Sequence, residues 1–97
     1  MESRVHHHVA AARFELPLGE HLAVCSYRLA GGVLVLHHTE VPPALQGHGV
    51  AAELVAAALA WAREQGLPVR PTCSYVAAYM RRHPDTRDLL ERPAERL

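Results

Sequence analysis

Two short runs hold the residues best suited to chemistry. The first, Gln46-Gly47-His48-Gly49-Val50-Ala51, sets two glycines between an apolar segment ending near Val41 and an alanine-rich stretch. A strand running through a glycine turn into a helix makes an anion cradle. The unpaired N–H groups of the turn and first helical turn converge, the helix dipole assists, and glycine lets a ligand approach the main chain closely. A pyrophosphate-bearing cofactor is the leading reading. The turn lacks the lysine and following hydroxyl of a nucleoside-triphosphate loop, and its spacing does not complete a dinucleotide-binding fingerprint.

The second run is Pro71-Thr72-Cys73-Ser74-Tyr75-Val76, at a predicted strand-to-helix junction. A cysteine near the amino end of a helix lies in a field that favours thiolate, and thiolate is the nucleophilic form. Cys73 is therefore the strongest candidate reactive side chain, with a buried or cofactor-proximal unreactive thiol as the alternative. Cys25 reads as ordinary strand packing.

Hydrophobic patterning supplies the elements that must position these runs. Residues 13–16 read as a strand, 17–19 as a turn and 21–29 as a second strand closed by Gly31-Gly32. Residues 33–36 are apolar throughout, which suits a central strand covered on both faces, and 37–41 continue it until Pro42-Pro43 end the ladder. Residues 49–64 read as a helix whose Ala51, Leu54, Val55, Ala58, Leu59 and Ala62 form a buried stripe, with Gly66 at its terminus. Residues 67–73 are extended, so the strand–helix–strand order predicts a right-handed parallel crossover. Ser74 is placed to cap a second helix reaching about Arg82, His83-Pro84 interrupt it, and 85–90 read as another short turn.

Composition bounds the possibilities. The 97 residues suit one domain, 1–97, with one core. Ten arginines balance ten acidic residues and there is no lysine, which gives no general case for nucleic acid or an acidic membrane surface. Two cysteines do not make a disulfide framework, and with no long apolar run or secretory leader the expectation is a reducing compartment, by default the cytoplasm.

Taken together, the glycine turn, the His-Thr-Glu-Val-Pro segment, the long helix, the Cys-Ser-Tyr segment and Arg82-His83-Pro84 resemble the small single-domain GNAT-like N-acetyltransferases over nearly the whole chain. The larger superfamily's cofactor turn is compressed here to residues 46–51. The resemblance implies a compact α/β (α+β) acyl-coenzyme A N-acyltransferase fold: a mixed sheet with antiparallel N-terminal strands, a parallel strand–helix–strand crossover and a C-terminal helix. It implies acetyl-coenzyme A as cofactor, with pyrophosphate at Gln46, Gly47, His48, Gly49, Val50 and Ala51. The pantetheine arm would lie between splayed strands 35–41, ending at Val41, and 69–73. It further implies acetyl transfer to an amine, on a protein or a small molecule, and a catalytic role for Cys73.

Two routes stay open at this point: direct attack by the amine on the thioester, or transfer through Cys73. In the direct route Glu40, acting through water, or His38 would serve as base, and Tyr75 or Tyr79 would protonate the departing thiolate. Glu40 and His38 also fit surface solubility or a hydrogen-bonded strand edge, and the tyrosines fit a cover over the core or the cofactor channel. The His6-His7-His8 run and His37-His38 do not converge on one point and complete no metal set, so a terminal surface cluster is expected for the first. Arg81, Arg82, His83 and Arg87 fit a distal phosphate, an acidic substrate or simply a charged helix end; Trp61 and Phe14 read as core anchors. The competing accounts are a non-catalytic coenzyme A-binding module and a protein-interaction domain, as monomer or homodimer.

Overall fold

A computed structural model describes residues 4–92. Five strands form one sheet in chain order: β1 (His6–His8), β2 (Arg13–Leu18), β3 (His21–Ala30), β4 (Val33–Glu40) and β5 (Val69–Pro71). The first three pairings are antiparallel and β4–β5 is parallel, joined through helix α1 (Val50–Gln65); helix α2 (Ser74–Arg82) and a 3₁₀ helix (Pro84–Leu89) follow. The mixed sheet with a parallel crossover is the one the patterning and the resemblance imply.

Alternation along the strands decides which face is covered. Phe14 and Leu16 of β2, Ala23, Cys25 and Tyr27 of β3, and Leu34 and Leu36 of β4 share a single buried cluster with Leu54, Val55, Ala58 and Ala62 of α1 and Val76, Tyr79 and Met80 of α2. Both helices therefore cover one face. The other face carries Arg13, Glu15, Leu22, Arg28 and Arg70, none of them buried. Residues 34–36 of the central strand are nonetheless covered on both faces, as their apolar run implies, with Leu34, Val35 and Leu36 all fully buried. Val35 is fully buried on the open face, where it pairs in register with Arg28 on β3 and Arg70 on β5. Long arginine stems on the two flanking strands are of a kind that can cover such a valine without a second layer of helices.

Gly66 ends α1 in the left-handed region, φ 68°, with its N–H returned to the carbonyls of Ala62 and Arg63. Pro42-Pro43 stop β4 as expected and open a 3₁₀ turn, Pro43–Leu45. Three local expectations need correction. Pro17 is the penultimate residue of β2, where its exposed position tolerates the missing donor, and the turn falls at Gly19-Glu20. Ser74 is the first residue of α2, and Cys73 holds the cap position.

The third correction concerns the histidines. His6–His8 form edge strand β1, in which His7 pairs with Phe14. Its ring stacks on Phe14 at 4.1 Å and meets Trp61 edge-on at 4.6 Å, while Nε2 shares a 2.6 Å hydrogen bond with the Tyr27 hydroxyl. Burial pushes the His7 pKa below its ordinary value. The folded chain thus resists a proton that the unfolded chain accepts. The stability His7 provides is complete above about pH 6.5, the unfolded value, and declines as pH falls below it. Melting at pH 7.5 and 5.5 is expected to show a drop in the native chain that His7→Phe makes smaller; equal drops would refute the assignment.

Candidate active site

Between β4 and α1 the chain builds a small cleft of about 210 Å³ lined by Val41, Leu45, Gln46, Gly47, Gly49, Val50, Ala51, Ala52 and Tyr75. Gly47 and Gly49 adopt φ of 82° and 72°, and a Cβ at either would meet nothing within 4 Å. That open space lies above the main chain where a ligand would approach. Gly49 is the N-cap of α1 and no side chain caps the helix, so its first N–H groups keep their donor capacity. Gln46 Nε2 donates to the Val41 carbonyl at 3.0 Å and pins the turn to the end of the strand. Glu53, in the first turn of α1, would repel an anion, but Arg4 pairs with it at 2.7 Å. The donor set and the open space fit a pyrophosphate. His48 is exposed and stands outside the cleft lining.

The sheet splits beside this cleft. The Leu36 carbonyl accepts from both Thr72 N–H and Cys73 N–H at 3.1 Å, after which the chain turns into α2. Pairing with β5 ends at Leu36–Pro71, so, among the described residues, 37–40 of β4 have no strand partner on that side. An extended main chain with an open edge offers strand-like hydrogen bonds to a flexible amide-bearing ligand.

Cys73 stands at this split, half-buried. Its Sγ lies 3.5 Å from Thr39 Oγ1, and the same hydroxyl donates to Cys25 Sγ at 3.8 Å. Burial pushes the Cys73 thiol up, but hydrogen bonding from the Thr39 hydroxyl and from main-chain groups of Val76, Tyr75 and Thr39 outweighs it, and the pKa falls below the ordinary thiol value. The Val76 and Tyr75 groups belong to the first turn of α2, so the helix end itself favours the thiolate. Cys25 is the contrast: fully buried, its thiol is pushed up to about 11.

The other sequence-derived candidates are divided by a one-residue bulge. β3 and β4 pair Tyr27 with Leu36 but Ser26 with His38, leaving His37 as an extra residue in β4. Simple alternation from Leu34 and Leu36 would turn His38 and Glu40 toward the helices. The bulge reverses the parity, so Thr39, paired with Cys25, faces the helix side instead. His38 and Glu40 stand on the open face, 3.6 Å apart and well exposed. They are not brought to the Cys73 sulfur. Tyr75 enters the cleft, whereas Tyr79 lines a neighbouring recess with Ala56, Leu59 and Arg63 and stacks on His83 at 3.8 Å. Thr39 is the residue the sequence reading leaves without a role; only the bulge reveals it. Among the described residues no group of three histidine, cysteine or acidic side chains is arranged to hold a metal. None of the described helices is long and apolar enough to cross a membrane.

This architecture has known counterparts, and a family model described as GCN5-related N-acetyl-transferase matches residues 13–89. The chain belongs to that family. As a GCN5-related N-acetyltransferase it resembles Protein NATD1 of Gallus gallus, 41% identical over 63 residues, which cover 64% of this chain and 57% of that protein. Protein NATD1 of Danio rerio is 36% identical over 84 residues, 84% of this chain and 76% of that protein. The Gallus gallus match thus spans little more than half of the curated relative's length. A GCN5-like protein from Staphylococcus aureus, solved by NMR in solution, superposes with a TM-score of 0.73 at 23% identity, covering 98% of this chain and 95% of that one. The superposition shows a shared fold. Acetyl transfer is the chemistry for which the matched family is named.

Proposed function

We propose that this chain transfers the acetyl group of acetyl-coenzyme A to an amine and that Cys73 carries the group between them. The observation that supports this reading most is the placement of the Cys73 sulfur. It sits at the split between β4 and β5, beside the hydroxyl and main chain of Thr39 and two residues before Tyr75, which lines the glycine cleft. Pyrophosphate would rest on the N–H groups around Gln46, Gly47, Gly49, Val50 and Ala51, with His48 at the rim. The pantetheine arm would run along the open edge of β4 as far as Val41, bringing the thioester toward Cys73.

In the first half-reaction the Cys73 thiolate attacks the thioester carbonyl. The new sulfur–carbon bond forms, the carbon–sulfur bond to coenzyme A breaks, and coenzyme A departs as a thiolate that takes a proton from water. Tyr75, in the cleft, is the better placed of the two tyrosines to supply such a proton. In the second, the amine nitrogen attacks the acetyl-cysteine, an amide forms, the Cys73 thiolate is restored and the amine's proton leaves. Main-chain donors at the open edge of β4 would stabilise the oxyanion in both halves. Glu40 and His38, exposed on the far face, suit a role in attracting a cationic amine, while the amine's proton leaves to water. Two unpaired cysteines suit a reducing compartment, and the cytoplasm is the proposed location.

Calorimetric titration of the chain with acetyl-coenzyme A is expected to show saturable one-site binding. A folded chain that binds none would overturn the proposal and leave an interaction domain as the better account.

A further inference from the structure

The buried thiol that the proposed reaction does not use is Cys25, and one hydroxyl joins it to the thiol that the reaction does use. Thr39 Oγ1 donates to Cys25 Sγ at 3.8 Å and lies 3.5 Å from Cys73 Sγ, where either atom can be the donor. A threonine hydroxyl has one proton and two acceptor lone pairs. It therefore cannot donate to both sulfurs at once. With Cys73 as a thiol, its S–H can donate to Thr39 Oγ1 while the hydroxyl proton points at Cys25. With Cys73 as a thiolate no S–H remains, and the hydroxyl proton is drawn to the charged sulfur. The two arrangements differ by a rotation about the Cβ–Oγ1 bond, with no movement of the backbone.

We propose that Thr39 is a positioning residue whose hydroxyl rotates from Cys25 to Cys73 as Cys73 ionises, so that Cys25 serves as the resting acceptor of the proton that stabilises the nucleophile. The proposal rests on Cys73 being the nucleophile in the reading above, but it concerns the thiol alone and needs no acetyl-coenzyme A to test. The surroundings leave the arrangement few other inputs. From β3 the nearby titratable group is Cys25, on which the Cys73 charge acts; from β4 Cys73 is met by the hydroxyl and main chain of Thr39; from α2 it is met by the main chain of Tyr75 and Val76. His38 and Glu40 lie on the opposite face of the sheet, paired with each other. Cys25 is itself suited to a fixed, neutral acceptor, since burial holds it protonated through the physiological range.

The expected effects have opposite signs. In Thr39→Val the thiolate loses its hydroxyl donor, so Cys73 ionises at higher pH; a charge-assisted hydrogen bond lost from a partly exposed site corresponds to roughly tenfold less thiolate near neutrality. Because a more basic thiolate is also more nucleophilic, its alkylation rate near neutrality falls by only about threefold, and the midpoint of the pH profile is the cleaner readout. Thr39→Ser, which keeps the hydroxyl, restores the native midpoint. Cys25→Ala removes the resting acceptor, leaves the hydroxyl nothing else to donate to, and moves the midpoint down. In the Thr39→Val background Cys25→Ala has no further effect, a coupling that a purely structural role would not produce.

The measurement is the rate of iodoacetamide alkylation of the peptide containing Cys73 against pH, read by mass spectrometry, in the native chain and these variants. Midpoints in the order Thr39→Val above native above Cys25→Ala, with Thr39→Ser at native, support the proposal. Equal midpoints for the native chain, Thr39→Ser and Cys25→Ala overturn it even if Thr39→Val does not fold. Absence of acetyl transfer by the native chain, with the midpoint shifts intact, refutes the functional reading and leaves the positioning role standing.

Discussion

Replacing Cys73 with alanine is expected to lower acetyl transfer by at least about 10²-fold while leaving acetyl-coenzyme A affinity nearly unchanged. The residue is half-buried and makes weak sulfur contacts, so alanine removes the nucleophile with little change in packing. Cysteine-to-serine is the sharper test. Serine keeps the size and a hydrogen-bonding group, but its hydroxyl has no base beside it: Thr39 is neutral, and His38 and Glu40 face away. Both variants should therefore fail alike. In the native chain, incubation with acetyl-coenzyme A should place one acetyl group on the peptide containing Cys73, and neither variant should carry it. Activity should rise with pH through the Cys73 titration, with its acid limb below the ordinary thiol range because the Cys73 pKa is lowered. If both variants retain transfer within a few-fold of the native chain, the amine attacks the thioester directly, and Glu40 and His38 return as the candidate bases.

The reasons why some of this site could be read from residues and some could not are local. The glycines declared themselves because a left-handed turn ahead of a helix needs them, and both Gly47 and Gly49 occupy that region. The stripe on α1 was legible because alanine, leucine and valine at helical spacing leave few other solutions, and five of its six expected residues are buried against the sheet, with Ala51 lying at the cleft instead. Face assignment in β4 was not legible. A bulge depends on the pairing between two strands, and nothing in residues 33–40 alone announces the extra residue at His37; without it Thr39 points the wrong way and His38 the right one. Edge strand β1 was hidden for a similar reason. Three consecutive histidines carry no strand signature, and only the slot bounded by Phe14, Tyr27 and Trp61 makes an imidazole a packing residue. Cysteine is an unusual helix cap, so Ser74 drew the assignment that belongs to Cys73.

Valine at Gly49 is expected to weaken acetyl-coenzyme A binding by at least about tenfold, and the same change at Gly47 by a comparable factor. Two causes contribute, and they are separable. A β-branched residue at φ above 70° is strained wherever it stands, which costs about 1–3 kcal/mol of stability and distorts the turn. A side chain there also fills the open space through which the pyrophosphate would reach the N–H groups. Asparagine tolerates the left-handed region better than valine, so Gly49→Asn relieves most of the strain while still occupying the space. Gly19 supplies the complementary control: its φ is 60°, nothing lies within 4 Å of its would-be Cβ, and it lies in the β2–β3 turn, outside the cleft lining. Gly19→Val should lower the melting temperature and leave the calorimetric Kd for acetyl-coenzyme A unchanged. Lost affinity in Gly49→Asn with retained affinity in Gly19→Val identifies the turn as the cradle. Native affinity in Gly49→Asn and Gly47→Asn would remove the pyrophosphate from this turn, because no ligand can approach the main chain closely through a space a side chain already fills.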